Sequence, residues 1–313
     1  VQHHYAHILS CMAENDCADQ VIGVSFDGTG YGTDGTIWGG EILLADLNGF
    51  ERVGSVMPFL QIGGDASSKE GWRIAVSLIY GMTGDREKAS EIIEKLQLCT
   101  KQEANVQFTM ADRKINAVMS TSAGRLFDGV SAILGIRRKS TFEGEASMAL
   151  EFAAEAYRET ISEESEKAGT KQSEEPFKGE KNLQKQADMT FEQEDFQGLE
   201  EGKINGNRIN FTDDRLLLNT ESLIKEILNR RLDGEDSGRL AYIFHQELAR
   251  QITAACVKVR EQSGCNKAAL SGGVFQNRLL LELTDHMLSE QGFEVLKHQL
   301  IPPNDGGIAL GQA

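Results

Sequence analysis

Apolar residues recur at helical spacing from the start of the chain. Tyr5, Ile8, Leu9 and Met12 predict a helix over about residues 1–15. VIGVSF at 21–26 is a short β-rich apolar run that ends at Asp27-Gly28. After Gly39-Gly40 a second strand, EILLAD, is predicted, and residues 52–56 return as its partner around an Asn48-Gly49 turn. Helical periodicity dominates from about 67 to 157, with Leu126, Phe127, Val130, Ile133 and Leu134 on one helix face. Large apolar residues then thin out. Residues 159–203 are rich in Glu, Lys and Gln and cannot bury enough surface to repay their ordering entropy. They read as a mobile surface insertion or, more plainly, as a charged solvent-exposed helix.

Regular patterning resumes with NRINF, a helix over about 221–231 and a long helix over about 237–261. The last part alternates strand KAALSGG, helix VFQNRLLLELTDHMLSEQG, strand FEVLK and a helix from Asp305. That β-α-β-α order predicts a parallel sheet with its ligand at the C-terminal ends of the strands, and an α/β class overall. Three regions follow: a first lobe with the start of a helical region at 1–158, the charged segment at 159–203, and a second lobe at 204–313. No internal repeat is visible.

Charge narrows the range of partners. With 32 basic and 48 acidic residues the net charge is −16, which argues against a nucleic-acid backbone as partner. No apolar run reaches the roughly 18 residues of a membrane span. Cysteines 11, 17, 99, 256 and 265 are odd in number and include no Cys-x-x-Cys pair, as expected of small core residues in a reduced, cytoplasmic compartment. Neither end carries a start or targeting signal, and both are read as cuts.

Four stretches carry candidate chemistry. His3 and His7 lie one helical turn apart, a spacing at which two imidazoles bind one metal, whereas His4 is rotated away from them. A solvated or capped histidine cluster would give the same spacing. In Asp27-Gly28-Thr29-Gly30 a strand runs into glycines that let backbone amides approach an anion, with Asp27 placed for a metal or phosphate contact; a hairpin loop is the plainer reading. Ser271-Gly272-Gly273 leads into a predicted helix whose amino end would favour a phosphate, with Asn277 one turn in for a ribose or base. Asn304-Asp305 after two prolines reads as a helix cap, and Asp305 also stands where a third metal ligand would sit. Gly63-Gly64-Asp65 with Trp72-Arg73, the helical Asp128 and Gly144 are compatible with a pocket but support nothing alone.

Taken together, VQHHYAH, DGTGYGTDGTIWGGE, GGDASSKEGWRIA, STSAGRLFDGVSAILG, TFEGEASMALE, LSGGVFQNRLLL and PPNDGGIALGQA resemble the C-terminal domain of the HypF-type hydrogenase-maturation carbamoyltransferases. They occur in the family's order and cover nearly the whole chain outside 159–203. The resemblance implies an ASKHA fold (actin-like ATPase, RNase H-like), two lobes around a nucleotide cleft. It implies a divalent metal, iron or zinc and possibly with Mg, on His3, His7 and Asp305. Asp27 is expected to be catalytic, with Gly28 and Thr29 beside it on the phosphate side. Gly272, Gly273 and Asn277 are expected to contact ATP or AMP, with Asp128 and Gly144 on the ribose side. The implied reaction moves a carbamoyl group from carbamoyl-adenylate to the C-terminal cysteine of a HypE-type partner, with the adenylate made by an upstream YrdC-like domain.

Two departures stand out. Tyr5 occupies a position where the family usually has a third histidine, but lies off the His3–His7 face. The family's opening hairpin would precede residue 1, so residues 21–26 are expected to form an exposed sheet edge. The sister tRNA threonylcarbamoyladenosine-forming enzymes, an ASKHA kinase or ATPase, and a non-catalytic docking module for HypE are the competing readings.

Overall fold

The structure is a computed structural model that describes residues 1–167, 202–204, 207–209 and 215–313. Most of 159–203, read above as an insertion, lies outside the described residues. Its first nine residues continue a helix, α6 (Glu145–Lys167).

Alternation along the strands explains the architecture. In β1 (Val21–Tyr31) Ile22, Val24 and Phe26 enter the larger core, while Val21 faces the smaller one. β2 (Ile37–Asp46) divides likewise, Ile42 to the first core and Trp38, Leu43 and Ala45 to the second. A strand that buries both faces needs a layer on each side. The smaller core is closed by α1 (His3–Glu14), through Tyr5, Ile8, Cys11 and Met12. Gly23 is what lets α1 lie so close, because a Cβ there would stand 2.5 Å from Ile8 Cγ1. The larger core is covered by α2 (Gly71–Thr83), α3 (Arg86–Lys95), α4 (Lys101–Arg113), α5 (Ala123–Ile133), α6, α7 (Thr220–Leu232), α8 (Ser237–Ser263) and α9 (Arg278–Glu290).

Eight strands form one sheet among the described residues, in the order β10 (Glu294–Lys297), β9 (Lys267–Ser271), β1, β2, β3 (Gly49–Val56) and β8 (Leu216–Leu218), with β5 (Ala117–Ser120) branching from β2 and β4 (Phe59–Ile62) from β5. The hairpin β2–β3 (Gly49–Val56) turns where Asn48-Gly49 predicts, with Asp46 Oδ1 accepting from the amides of both residues at 2.7 and 3.1 Å. β9 (Lys267–Ser271) and β10 (Glu294–Lys297) run parallel to each other, and β9 runs parallel to β1, as the β-α-β-α pattern requires. The sheet therefore joins both ends of the chain.

The structure corrects three expectations. Residues 21–26 are not a sheet edge: β1 is paired on both sides, antiparallel to β2 and parallel to β9, so its hydrogen-bonding groups are satisfied within the chain. The helical stretch at 67–157 contains a strand, β5 (Ala117–Ser120), which pairs with β4 (Phe59–Ile62); each strand is only four residues long, too short for a clear period of two. The helix predicted from Val274 begins at Arg278, because Gly273–Gln276 forms a 3-10 turn and Asn277 is in an extended conformation. A short strand, β8 (Leu216–Leu218), extends the sheet beyond β3, and β6 (Gly202–Ile204) and β7 (Asn207–Ile209) form a separate ribbon. The chain closes with a 3-10 turn (Asp305–Gly307) and α10 (Ile308–Gln312) beside α1.

Candidate functional site

α1 presents His3 and His7 on one face, and both Nε2 atoms meet Asp27 Oδ2, at 2.8 and 3.3 Å. Asp305 Oδ1 approaches from the far end of the chain, 3.7 Å from His3 Nε2 and 3.6 Å from His7 Nε2. Each of the four residues offers one ligand atom, and these atoms lie within 4.8 Å of one another. Asp27, expected on the phosphate side, is thus a full member of the histidine cluster. Its other oxygen accepts from the Gly273 amide at 3.1 Å, which ties the cluster to the glycine turn after β9.

Burial opposes a charge on Asp27, but the hydrogen bonds from His3 and His7 outweigh it and hold the carboxyl well below the usual range. The Asp27 hydrogen bond raises the pKa of His3 against the effect of burial. His4 is outside the cluster. It is fully buried near Trp38, and desolvation, reinforced by the neighbouring His3, lowers its pKa to about 3. Tyr5 points away, donating its hydroxyl hydrogen to Asp46 O at 2.6 Å.

The stretch after Asp27 is strand rather than loop. β1 continues to Tyr31 with a register shift between Phe26 and Gly30, and 33–35 lie in the turn to β2. Gly28 is half-buried and Thr29 exposed. Ser122 caps α5 by accepting from Arg125 N at 3.1 Å, and its hydroxyl donates to Gly28 O, so the start of α5 is pinned to this bulge.

On α5, Asp128 is buried, 2.8 Å from Arg125 Nε, with Ser147 Oγ of α6 at 3.5 Å; desolvation raises its pKa to about 6. Gly144 sits half-buried in the turn before α6. Gly272 adopts φ +100°, and any Cβ there would strike the Phe26 carbonyl. Its amide donates to Pro303 O at 3.0 Å.

Asn277 is placed differently from the expectation of a ribose or base contact. Its Oδ1 caps α9 by accepting from Leu280 N at 2.8 Å, and its Nδ2 lies 2.8 Å from His245 Nε2 in the core. The anion site predicted at this helix start is also differently occupied: Glu151 Oε1 of α6 accepts from Arg278 N at 2.6 Å and Leu279 N at 3.4 Å. Glu151 was not anticipated. Its distance in sequence from the glycine turn leaves no local signal, and only the packing of α6 reveals it.

The family described as "Carbamoyltransferase, Kae1-like Domain, second subdomain" matches residues 23–195 and 177–312. The probable carbamoyltransferase HypF of Methanocaldococcus jannaschii is 32% identical over 312 residues, an alignment covering 100% of this chain and 34% of that protein. Carbamoyltransferase HypF of Synechocystis is 32% identical over 324 residues, covering 100% of this chain and 36% of the relative. A crystal structure of full-length HypF in its phosphate- and nucleotide-bound form superposes with a TM-score of 0.77 at 32% identity, covering 100% of this chain and 35% of that one. The chain thus spans about a third of the length of these relatives. Among the described residues no helix is long and apolar enough to cross a membrane. With the family's description matching most of its length, the chain belongs to the Kae1-like carbamoyltransferase domain family found in HypF proteins.

Proposed function

We propose that this chain is the carbamoyl-transfer domain of a HypF-type protein, with an ASKHA arrangement of two lobes around a nucleotide cleft. It passes a carbamoyl group from carbamoyl-adenylate, made by an upstream YrdC-like domain, to the C-terminal cysteine of a HypE-type partner. One observation supports this above the others: two imidazoles and two carboxylates converge beside a glycine turn at the end of a parallel strand.

The donor set fits a divalent ion. Two imidazole nitrogens with two carboxylate oxygens suit zinc or ferrous iron, whereas magnesium favours oxygen ligands alone. His3, His7, Asp27 and Asp305 would hold it, and it would supply Lewis acidity toward the carbamoyl carbonyl or the adenylate phosphate. The chain's own groups do the positioning. The Gly273 amide orients Asp27, and the Ser122 hydroxyl fixes the Gly28 bulge that would face the phosphate. Arg125 neutralises Asp128 on the ribose side. The net charge of −16 weighs against the tRNA-modifying sister activity.

In the intact protein, His3→Ala or His7→Ala should abolish transfer to the HypE-type partner while adenylate formation continues. Transfer that persists in metal-free protein would overturn the metal role.

A further inference from the structure

Asp305 reaches the cluster with a side chain that is 77% exposed. Beyond its approach to the two imidazoles that carboxylate stands open to solvent, so its position depends on the backbone on either side. On one side, Ser10 of α1 donates its hydroxyl hydrogen to Gly307 O at 2.8 Å. On the other, Glu14 at the end of α1 accepts from three consecutive amides, Gln299 at 2.9 Å, Leu300 at 2.6 Å and Ile301 at 3.2 Å. Its second oxygen, Oε2, lies 2.7 Å from His298 Nδ1, and His298 Nε2 lies 2.8 Å from Ser271 Oγ. Both side chains are nearly closed to solvent, His298 4% and Glu14 9% exposed. Burial opposes the Glu14 charge, but the amides and His298 lower its pKa to about 2. With that carboxylate on Nδ1–H, the neutral imidazole keeps Nε2 as acceptor for the Ser271 hydroxyl.

We propose that Glu14, His298 and Ser271 form a positioning relay that sets Asp305 and the Gly272-Gly273 turn against His3 and His7. The helix that carries both histidines thereby grips the Asp305 segment on its two flanks. Through His298 it also reaches the residue immediately before the turn whose Gly273 amide holds Asp27. The inference rests on the metal reading above.

The three groups have the spacing of a Ser-His-carboxylate triad, but a nucleophile needs free amide donors for the oxyanion. Here the Gly272 amide is spent on Pro303 O and the Gly273 amide on Asp27, and Ser271 is fully buried. The geometry fits anchoring.

The test is Zn2+ titration of the metal-stripped 313-residue chain against a chromophoric chelator, with Co2+ absorption spectra as a second readout. Glu14→Gln, which keeps an oxygen for the loop amides but sets an NH2 donor where His298 Nδ1–H needs an acceptor, should weaken Zn2+ binding about tenfold, the lower end for residues that orient metal ligands. The Co2+ bands should shift. Asn15→Ala, which removes the neighbouring Asn15 Nδ2 to Lys297 O bond (3.2 Å), should lower stability but leave the Kd within about twofold. Should Glu14→Gln fail to fold, Ser271→Ala removes one hydroxyl at the far end of the relay and should still weaken binding about threefold, as for one lost hydrogen bond. A parent chain that binds no metal overturns both the metal reading and the relay. A parent that binds while Glu14→Gln and Ser271→Ala bind equally well overturns the relay alone. Labelling of Ser271 by a fluorophosphonate would also overturn it, by assigning a nucleophile instead.

Discussion

His245 shows how a single buried side chain stabilises the glycine turn. It is fully buried between the rings of Phe127 and Phe244, donates from Nδ1 to Ala241 O at 2.7 Å, and accepts at Nε2 from Asn277. Desolvation lowers its pKa to about 4. Below pH 6.5 the unfolded chain therefore binds a proton that the folded chain refuses, and stability is lost as pH falls from about 6.5 to 4, by about 3 kcal/mol. Asp128 acts oppositely, since its raised pKa lets the folded state take up a proton first as pH falls through about 6. Urea unfolding of the parent and His245→Gln across this range isolates the histidine: the variant should show the flatter acid limb. Gly272 makes a second residue-scale case. At φ +100° and against the Phe26 carbonyl, Gly272→Ala should cost about 3 kcal/mol or more, measurable by the same method.

Among the elements, the β2–β3 hairpin depends on one buried ion pair. Glu41, fully buried, accepts from Arg52 Nε at 2.6 Å, from Gly39 N at 3.1 Å and from the Thr121 hydroxyl. Arg52 also reaches Asp34 Oδ2 at 2.9 Å and lies 4.1 Å over the Trp38 ring. Removing one partner strands a buried charge, so Glu41→Ala and Arg52→Met should each destabilise by about 3–5 kcal/mol. In a double-mutant cycle the pair should lose clearly less than the sum, because the double variant strands neither charge. The hairpin itself was legible in the residues: alternation gave β2 and β3, and Asn48-Gly49 gave their turn. The pair was not, because Glu41 sits in a strand that reads only as apolar alternation, and its partner is chosen by strand register. The start of α9 was misplaced for a related reason. Apolar periodicity continues smoothly through Val274 and Phe275, while the break at Asn277 depends on its contact with His245.

Across the whole molecule, α1 and the Asp305 segment stand at opposite ends of the chain yet share one cluster. A ligand that binds only this assembled cluster must stabilise the entire fold. Zn2+ at 100 times its Kd should add about 2.7 kcal/mol, a rise of about 5 °C in Tm by calorimetry. His7→Ala should remove that rise. A zinc-dependent rise retained in His7→Ala would show that the ion binds elsewhere.

By itself the sequence determined the periodic features: the α/β class, the parallel arrangement of the last strands, and the His3–His7 pair, whose spacing becomes a shared face in any helix. Ordered motifs also placed Asp27, Asp305 and the glycine turns near a common site. Tertiary structure alone decided that Asp27 joins the histidines, that Glu151 fills the α9 amino end, and that Asn277 turns inward. It alone decided, too, that Glu14 holds the loop leading to Asp305. Local patterns encode which face a side chain takes within its own element. A hydrogen bond between residues hundreds of positions apart exists only once the sheet has fixed where those elements lie.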